Sequence, residues 1–261
     1  MKKPKIIVFD LETIWDIDKI TNEEVYFSLS NWEGRTMKAS INSILCFGYK
    51  ELGSKKAECN SVWDYKKRFA KNMNDDYDVC KAAYDVLKDA DAIITHNGKR
   101  FDWKFLQTRL KINKLPHLDK ILHIDTCHIA RSNLSMYSNR LKDLAAEFTP
   151  ERKINTGGKK LWTRIYRGDK SAMFDMVKYC KQDVVTTEAL FESLRPFVTN
   201  LPNFNLFNNN PASCTGCGGS KLQRNGKLVT KTKIHQRLRC TDCGCSKISK
   251  PEVNPAKGIA L

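Results

Sequence analysis

No stretch of this 261-residue sequence approaches the roughly 18 apolar residues that a membrane-spanning helix requires, so a helical membrane protein is excluded. The basic start Met1-Lys2-Lys3 leads only into Ile6-Ile7-Val8-Phe9 before Asp10, too short an apolar core for a secretory signal. The expectation is an intracellular protein with no membrane partner. Internal repeats are lacking too, which sets solenoids aside. Negative charge is scarce: 29 acidic residues stand against 45 basic ones, for a net charge of +16. That balance suits a polyanionic partner, although a well-solvated surface would show it as well.

The length allows one substantial domain of about 150 to 200 residues plus a small one. Charge and cysteine both mark the small one. From Pro211 to Leu261, ten basic residues face only Asp242 and Glu252, so half of the net charge lies in this last segment. Cys46, Cys59, Cys80, Cys127 and Cys180 are scattered, whereas Cys214, Cys217, Cys240, Cys243 and Cys245 cluster. Without a secretory signal, a metal site is favoured over a disulfide framework.

Ile6 to Glu12 reads as a buried strand that places Asp10 and Glu12 on one face, because alternate side chains point the same way. Thr13 to Ala39 is polar and irregular, with Trp15, Tyr26, Phe27 and Trp32 scattered through it, and reads as an insertion beside a site. Strands are expected at Ser43–Leu52 and Ala57–Trp63 around a Gly53-Ser54 turn, then a helix over Asp76–Asp89. A short apolar strand at Ala92–Thr95 runs into His96-Asn97-Gly98 and a helix from about Phe101; Leu122–Asp125 is a further strand. A long helix from about Ser171 to Leu194 repeats apolar residues at helical spacing, and Pro196 ends it. The Asn- and Pro-rich residues 198–211 read as a linker.

Phosphodiester hydrolysis needs an activated water and a stabilised leaving oxygen, and two divalent ions about 3.5 to 4 Å apart can supply both. Hard ions such as Mg²⁺ take carboxylate oxygens. Alone, Asp10-Leu11-Glu12 is weak, since acids at a strand end usually face solvent. Two other segments strengthen it: Asn97-Gly98-Lys99-Arg100-Phe101-Asp102 directly follows an apolar strand, and Tyr179 and Asp183 share one helix face at i, i+4. In this order the three segments resemble the motifs of the DEDD exonuclease superfamily, in its Tyr-containing (DEDDy) branch, over about Lys5 to Pro196. The resemblance implies a ribonuclease H-like fold, α/β with a mixed sheet flanked by helices. It also implies 3′-5′ exonuclease activity with two Mg²⁺ or Mn²⁺ ions, one held by Asp10, Glu12 and Asp183 and the other by Asp10 with Asp102 through water. Tyr179 would orient the attacking water.

Around these residues, His96 and Asn97 fit the second motif as loop or substrate supports, and a histidine at a strand end also serves as a plain structural residue. Lys99 and Arg100 are candidate phosphate contacts or simply a solvated loop face. Asp125 is expected to cap the helix that starts near Thr126 rather than to bind metal. Gly157-Gly158 with Lys159-Lys160 reads as a flexible basic loop or a phosphate contact.

Cys214-Thr215-Gly216-Cys217 and Cys240-Thr241-Asp242-Cys243 form two C-x2-C knuckles separated by 22 residues, a pattern suited to one tetrahedral Zn²⁺ and similar to a zinc ribbon. Asn225-Gly226 is expected to make the hairpin turn between them. Cys245 and His235 are expected to be spare. Lys233, His235, Arg237 and Arg239 alternate along one strand face, so Lys233, Arg237 and Arg239 are candidate phosphate contacts, with protein binding or solubility as the other readings.

The expected organisation is an exonuclease domain at 1–197, a linker at 198–211, a zinc ribbon at 212–250 and a tail at 251–261. The expected activity is removal of nucleotides from a 3′ end, DNA favoured, on a single strand or other 3′ terminus. The ribbon would aid substrate binding or recruit a polymerase or another replication or repair partner. Two rivals remain: a ribonuclease H-like endonuclease of transposase or resolvase type, and a nucleic-acid-binding scaffold without activity.

Overall fold

The structure, a computed structural model, describes residues 3–14, 43–152, 154 and 159–251. From residue 15 onward the expected insertion at 13–39 lies outside the described residues, as do Gly157-Gly158 and the tail beyond Pro251. The chain divides into two compact units, Lys5–Phe191 and a smaller one made of Met1–Pro4 and Glu192–Leu261, with the second boundary inside the last turn of the long helix.

In the larger unit, β1 (Ile6–Ile14), β2 (Ser43–Glu51), β3 (Glu58–Ser61), β4 (Ala92–Thr95) and β5 (Leu122–Asp125) form a mixed sheet ordered β3-β2-β1-β4-β5. The β3-β2-β1 pairs are antiparallel, and the β1-β4-β5 pairs are parallel. Among the described residues the unit also has helices α1 (Lys66–Lys71), α2 (Tyr77–Leu87), α3 (Asp102–Ile112), α4 (Thr126–Asn133), α5 (Leu141–Phe148), α6 (Lys159–Tyr166) and α7 (Lys170–Leu194), and a short 3-10 turn at Val62–Asp64. This is the mixed sheet with flanking helices expected of a ribonuclease H-like fold. β1 and β4 are central and bury both faces, so Ile6-Ile7-Val8-Phe9 and Ala92-Ile93-Ile94-Thr95 are buried without alternation. α2 instead buries one stripe, Val79, Cys80, Ala83 and Leu87. Before its first residue, Asp76 joins three elements: it accepts two hydrogen bonds from Arg109 at 2.7 Å each, one from Asn113 and one from the Ile44 amide. This buried pair is bidentate and further hydrogen-bonded, which a desolvated carboxylate needs.

α1, α5 and α6 were not anticipated from the sequence, since helices of eight residues or fewer show little periodicity. The smaller unit holds α8 (Asn205–Asn208) and a second sheet of β6 (Leu222–Val229), β7 (Ile234–Cys240) and β8 (Ser246–Pro251), paired in that order. Two expectations change here. Asn225-Gly226 is not the hairpin turn: it lies inside β6, where the register to β7 shifts between Arg224 and Lys227. The chain reverses at Thr230–Lys233, where the Thr230 amide donates to Lys233 O (2.8 Å) and the Lys233 amide to Thr230 Oγ1 (2.9 Å). The second change concerns residues 198–211, which are not a loose connection. Leu201 packs against the clustered cysteines, and the Phe204 amide donates to Thr215 O at 2.9 Å.

Candidate active site

β1 carries Asp10 and Glu12 at positions i and i+2, ahead of a register shift that falls between Glu12 and Thr13. Asp183 comes from α7, which crosses β2 closely. A Cβ on Gly48 would stand 2.7 Å from Cys180 Sγ, so the glycine is what admits the helix. The result is that Asp10, Glu12 and Asp183 each offer a carboxylate oxygen within 4.8 Å of the others. Three carboxylates so close repel one another unless a cation is shared among them, and Asp183 is only 2% exposed, which limits screening by water. The donor set of hard oxygens fits Mg²⁺ or Mn²⁺.

Tyr179, one helical turn before Asp183, is buried against this cluster. Burial, and then the charges of Glu12, Asp183 and Asp10, push its phenol well above the ordinary range, and it hydrogen-bonds Asp183. It therefore stays protonated and acts as a donor. Trp162 on α6 sets its place: the indole packs edge-on to the Tyr179 ring (centroids 6.3 Å apart) and donates to Thr13 O at 3.1 Å. Sequence reasoning missed Trp162, whose only signal was its neighbourhood of apolar residues on a short helix.

Asp102 stands apart from the three-carboxylate group. At the first position of α3 it is buried and accepts the Leu11 amide at 3.1 Å, which pins the strand between Asp10 and Glu12. Burial raises its carboxyl to about 7 against the lowering effect of its own backbone bond and that of Leu11. The loop leading to it is fastened by Asp125. That carboxylate accepts the Asn97 (2.9 Å), Cys127 (3.0 Å) and His128 (3.2 Å) amides on Oδ1 and the Lys99 amide (3.0 Å) on Oδ2. It caps α4 as expected, and it also fastens the loop.

A cleft of about 560 Å³ is lined by Asp10 and Asp183 together with His96 and Asn97, and also by Arg131, Arg140 and Lys142. The three cations come from α4 and from the start of α5, and the sequence offered no sign of them among 45 basic residues. His96 is held at both ring nitrogens, Nδ1 with Thr126 Oγ1 at 2.9 Å and Nε2 donating to Asn139 O at 3.0 Å, so it shapes the wall. Lys99 and Arg100 are exposed and do not line this cleft.

A family model described as RNase_H superfamily matches residues 9–195, most of the chain and every element that carries the acids. The chain belongs to the RNase H superfamily. No curated protein matches the sequence. Among solved structures it is similar to the family B DNA polymerase from the hyperthermophilic archaeon Pyrobaculum calidifontis, at 16% identity and a TM-score of 0.54. The match covers 88% of this chain and 31% of the polymerase chain, so this chain spans about a third of that protein and the likeness is one of fold. Among the described residues of this RNase H superfamily member, no helix is long and apolar enough to cross a membrane.

The smaller unit of this superfamily member carries a second donor group. Cys214, Cys217, Cys240 and Cys243 bring four sulfurs within 4.8 Å of one another, with Cys214–Cys243 and Cys217–Cys240 at 3.7 Å. Both knuckles close alike, Gly218 N–H to Cys214 O (2.8 Å) and Gly244 N–H to Cys240 O (2.9 Å). Amides of Gly216 and Gly219 point at Cys214 and Cys217 Sγ (3.3 and 3.4 Å), as suits thiolates. At Cys240 burial raises the thiol, yet the amides of Cys243 and Asp242 bring it below the ordinary value. Four soft donors at one point fit Zn²⁺. Cys245 lies outside the group and donates to Arg195 O at 3.4 Å, and His235 is on β7, also outside it.

Proposed function

We propose that this RNase H superfamily chain is a 3′-5′ exonuclease of the DEDDy type, acting on DNA and using two Mg²⁺ or Mn²⁺ ions. The observation that carries the reading is the meeting of Asp10, Glu12 and Asp183 at one point with Tyr179 buried beside them and hydrogen-bonded to Asp183. Asp10, Glu12 and Asp183 would hold the cations, with Asp102 contributing through water. Bound divalent ions supply a nucleophilic hydroxide at neutral pH and charge neutralisation at the leaving oxygen. Tyr179 orients the attacking water through its hydroxyl oxygen, which can accept from the water while its proton is given to Asp183. Arg131, Arg140 and Lys142 hold the substrate phosphates in the cleft that Asp10 and Asp183 line, and His96 and Asn97 shape its wall. The four cysteines hold one structural Zn²⁺, and the ribbon built on them binds nucleic acid through Lys233, Arg237 and Arg239. A polymerase or other replication partner is a second use for the same ribbon, supported by the fold likeness to a DNA polymerase.

The test uses 5′-labelled single-stranded, duplex and flapped DNA and RNA with Mg²⁺ or Mn²⁺. The expected product is a ladder that shortens from the 3′ end, absent in Asp10→Ala. Rapid cutting of a closed DNA circle would refute the exonuclease reading in favour of an endonuclease.

A further inference from the structure

We infer that the β6–β7 hairpin grips duplex nucleic acid rather than a single strand, entering a groove edge-on with its two faces toward the two phosphate walls. This rests on the ribbon's proposed role in nucleic-acid binding and adds which form it binds.

Three observations support it. Lys221 to Arg239 contains seven cations and no acidic residue. The four that lie on the strands, Arg224, Lys227, Arg237 and Arg239, are divided between the faces of the sheet. Residues paired across strands share a face and alternate along each strand. Arg224 pairs with Leu238 and Lys227 with Gln236, which puts them on one face; Arg237 and Arg239 on β7 take the other, beside Ile248 and Ser246 of β8. β6 is an edge strand whose residues from Gln223 to Lys227 are exposed. Finally, no Phe, Tyr or Trp occurs from Pro211 to the C-terminus, although the whole sequence has 25 of them (12 Phe, 8 Tyr, 5 Trp).

Single-strand binders follow one backbone along one basic face and stack bases on aromatic rings, each worth roughly 1–3 kcal/mol. A ribbon without aromatics forgoes that contribution. In a duplex the bases are already stacked and the phosphates stand on both sides of a groove. A major groove about 12 Å wide admits a β-ribbon, and a sheet with its side chains is about 10 Å thick. The bulge in β6 fits the same purpose. Gly226, at φ +72°, lies under Arg237: a Cβ there would be 3.0 Å from Nη2, so the guanidinium rests over bare backbone. Gln236 fastens the bulge from the other face, donating to Gly226 O at 2.7 Å. A bulge of this kind re-aims the facing side chain.

The experiment measures fluorescence anisotropy with the full chain, zinc content verified, in an Asp10→Ala background that stops hydrolysis. The probes are a blunt DNA duplex and an oligothymidylate of the same length. Arg237→Ala/Arg239→Ala should weaken duplex binding about tenfold and lower the salt slope by about 2, one unit for each phosphate no longer neutralised. Oligothymidylate affinity should change less than twofold. Arg224→Ala/Lys227→Ala, on the opposite face, should do the same. Weakening on oligothymidylate as large as on duplex would overturn the duplex inference while leaving the ribbon a nucleic-acid surface. Weakening from one face only would overturn the groove geometry. Unchanged affinity for both probes in both variants would overturn the ribbon's nucleic-acid role altogether, with the exonuclease reading untouched.

Discussion

Replacing Gly48 by alanine should silence the active site without touching any of its side chains. The added Cβ would stand 2.7 Å from Cys180 Sγ, 3.1 Å from Cys180 O and 3.1 Å from Val184 Cγ2. To reach ordinary contact at 3.4 Å the sulfur must retreat by about 0.7 Å, and it is fully buried on α7 between Tyr179 and Asp183. Relief therefore comes from shifting the helix against β2. Overpacking of this kind costs about 1–3 kcal/mol, and displacement of a catalytic group by about 1 Å lowers rates roughly 100-fold. Gly48→Ala is expected to reduce Tm by about 3–10 °C and to slow digestion of 5′-labelled DNA about 100-fold. The partner variant Cys180→Ala removes the shortest contact, so the double variant should regain most of both deficits. A single variant with normal Tm and rate, or a double variant no better than the single, would refute this account of how α7 is seated.

Tyr179→Phe should reduce hydrolysis while Mn²⁺ binding, followed by calorimetry, stays near that of the parent; Asp183→Asn should reduce both. Cys214→Ser should release Zn²⁺ and weaken DNA binding without removing hydrolysis, read by metal analysis and anisotropy; equal zinc content in variant and parent would count against its role as a ligand. His123, packed edge-on to Trp103 and bonded to Thr95 Oγ1 at 2.8 Å, has its pKa lowered by burial to about 4. The unfolded chain, titrating near 6.5, then binds the extra proton, so stability is present above about pH 6.5 and is lost as pH falls through about 4, by on the order of 3 kcal/mol. His123→Gln should flatten the fall of Tm across that window.

The central strands and their carboxylates were legible because burial on both faces produces unbroken apolar runs, and a charge at the end of such a run stands out. Tyr179 and Asp183 were legible from helical spacing on the patterned α7. Contacts between distant segments were not. Nothing local to Arg131, Arg140 or Lys142 distinguishes them from other surface cations until folding brings them to the cleft that Asp10 and Asp183 line. Gly48 reads as an ordinary strand residue until α7 is laid across it. Asn225-Gly226 misled because a glycine at positive φ serves a bulge as well as a tight turn.

Asp125 writes the shape of the loop from Asn97 to Lys99 through backbone amides alone. Its partners are therefore indifferent to which side chains stand at positions 99 and 100. Exposed residues can be exchanged there without disturbing the loop, with the carboxylate at 125 and the first turn of α4 as the fixed mould. The loop should therefore outlast replacement of Lys99 and Arg100 and fail when Asp125 loses its carboxylate.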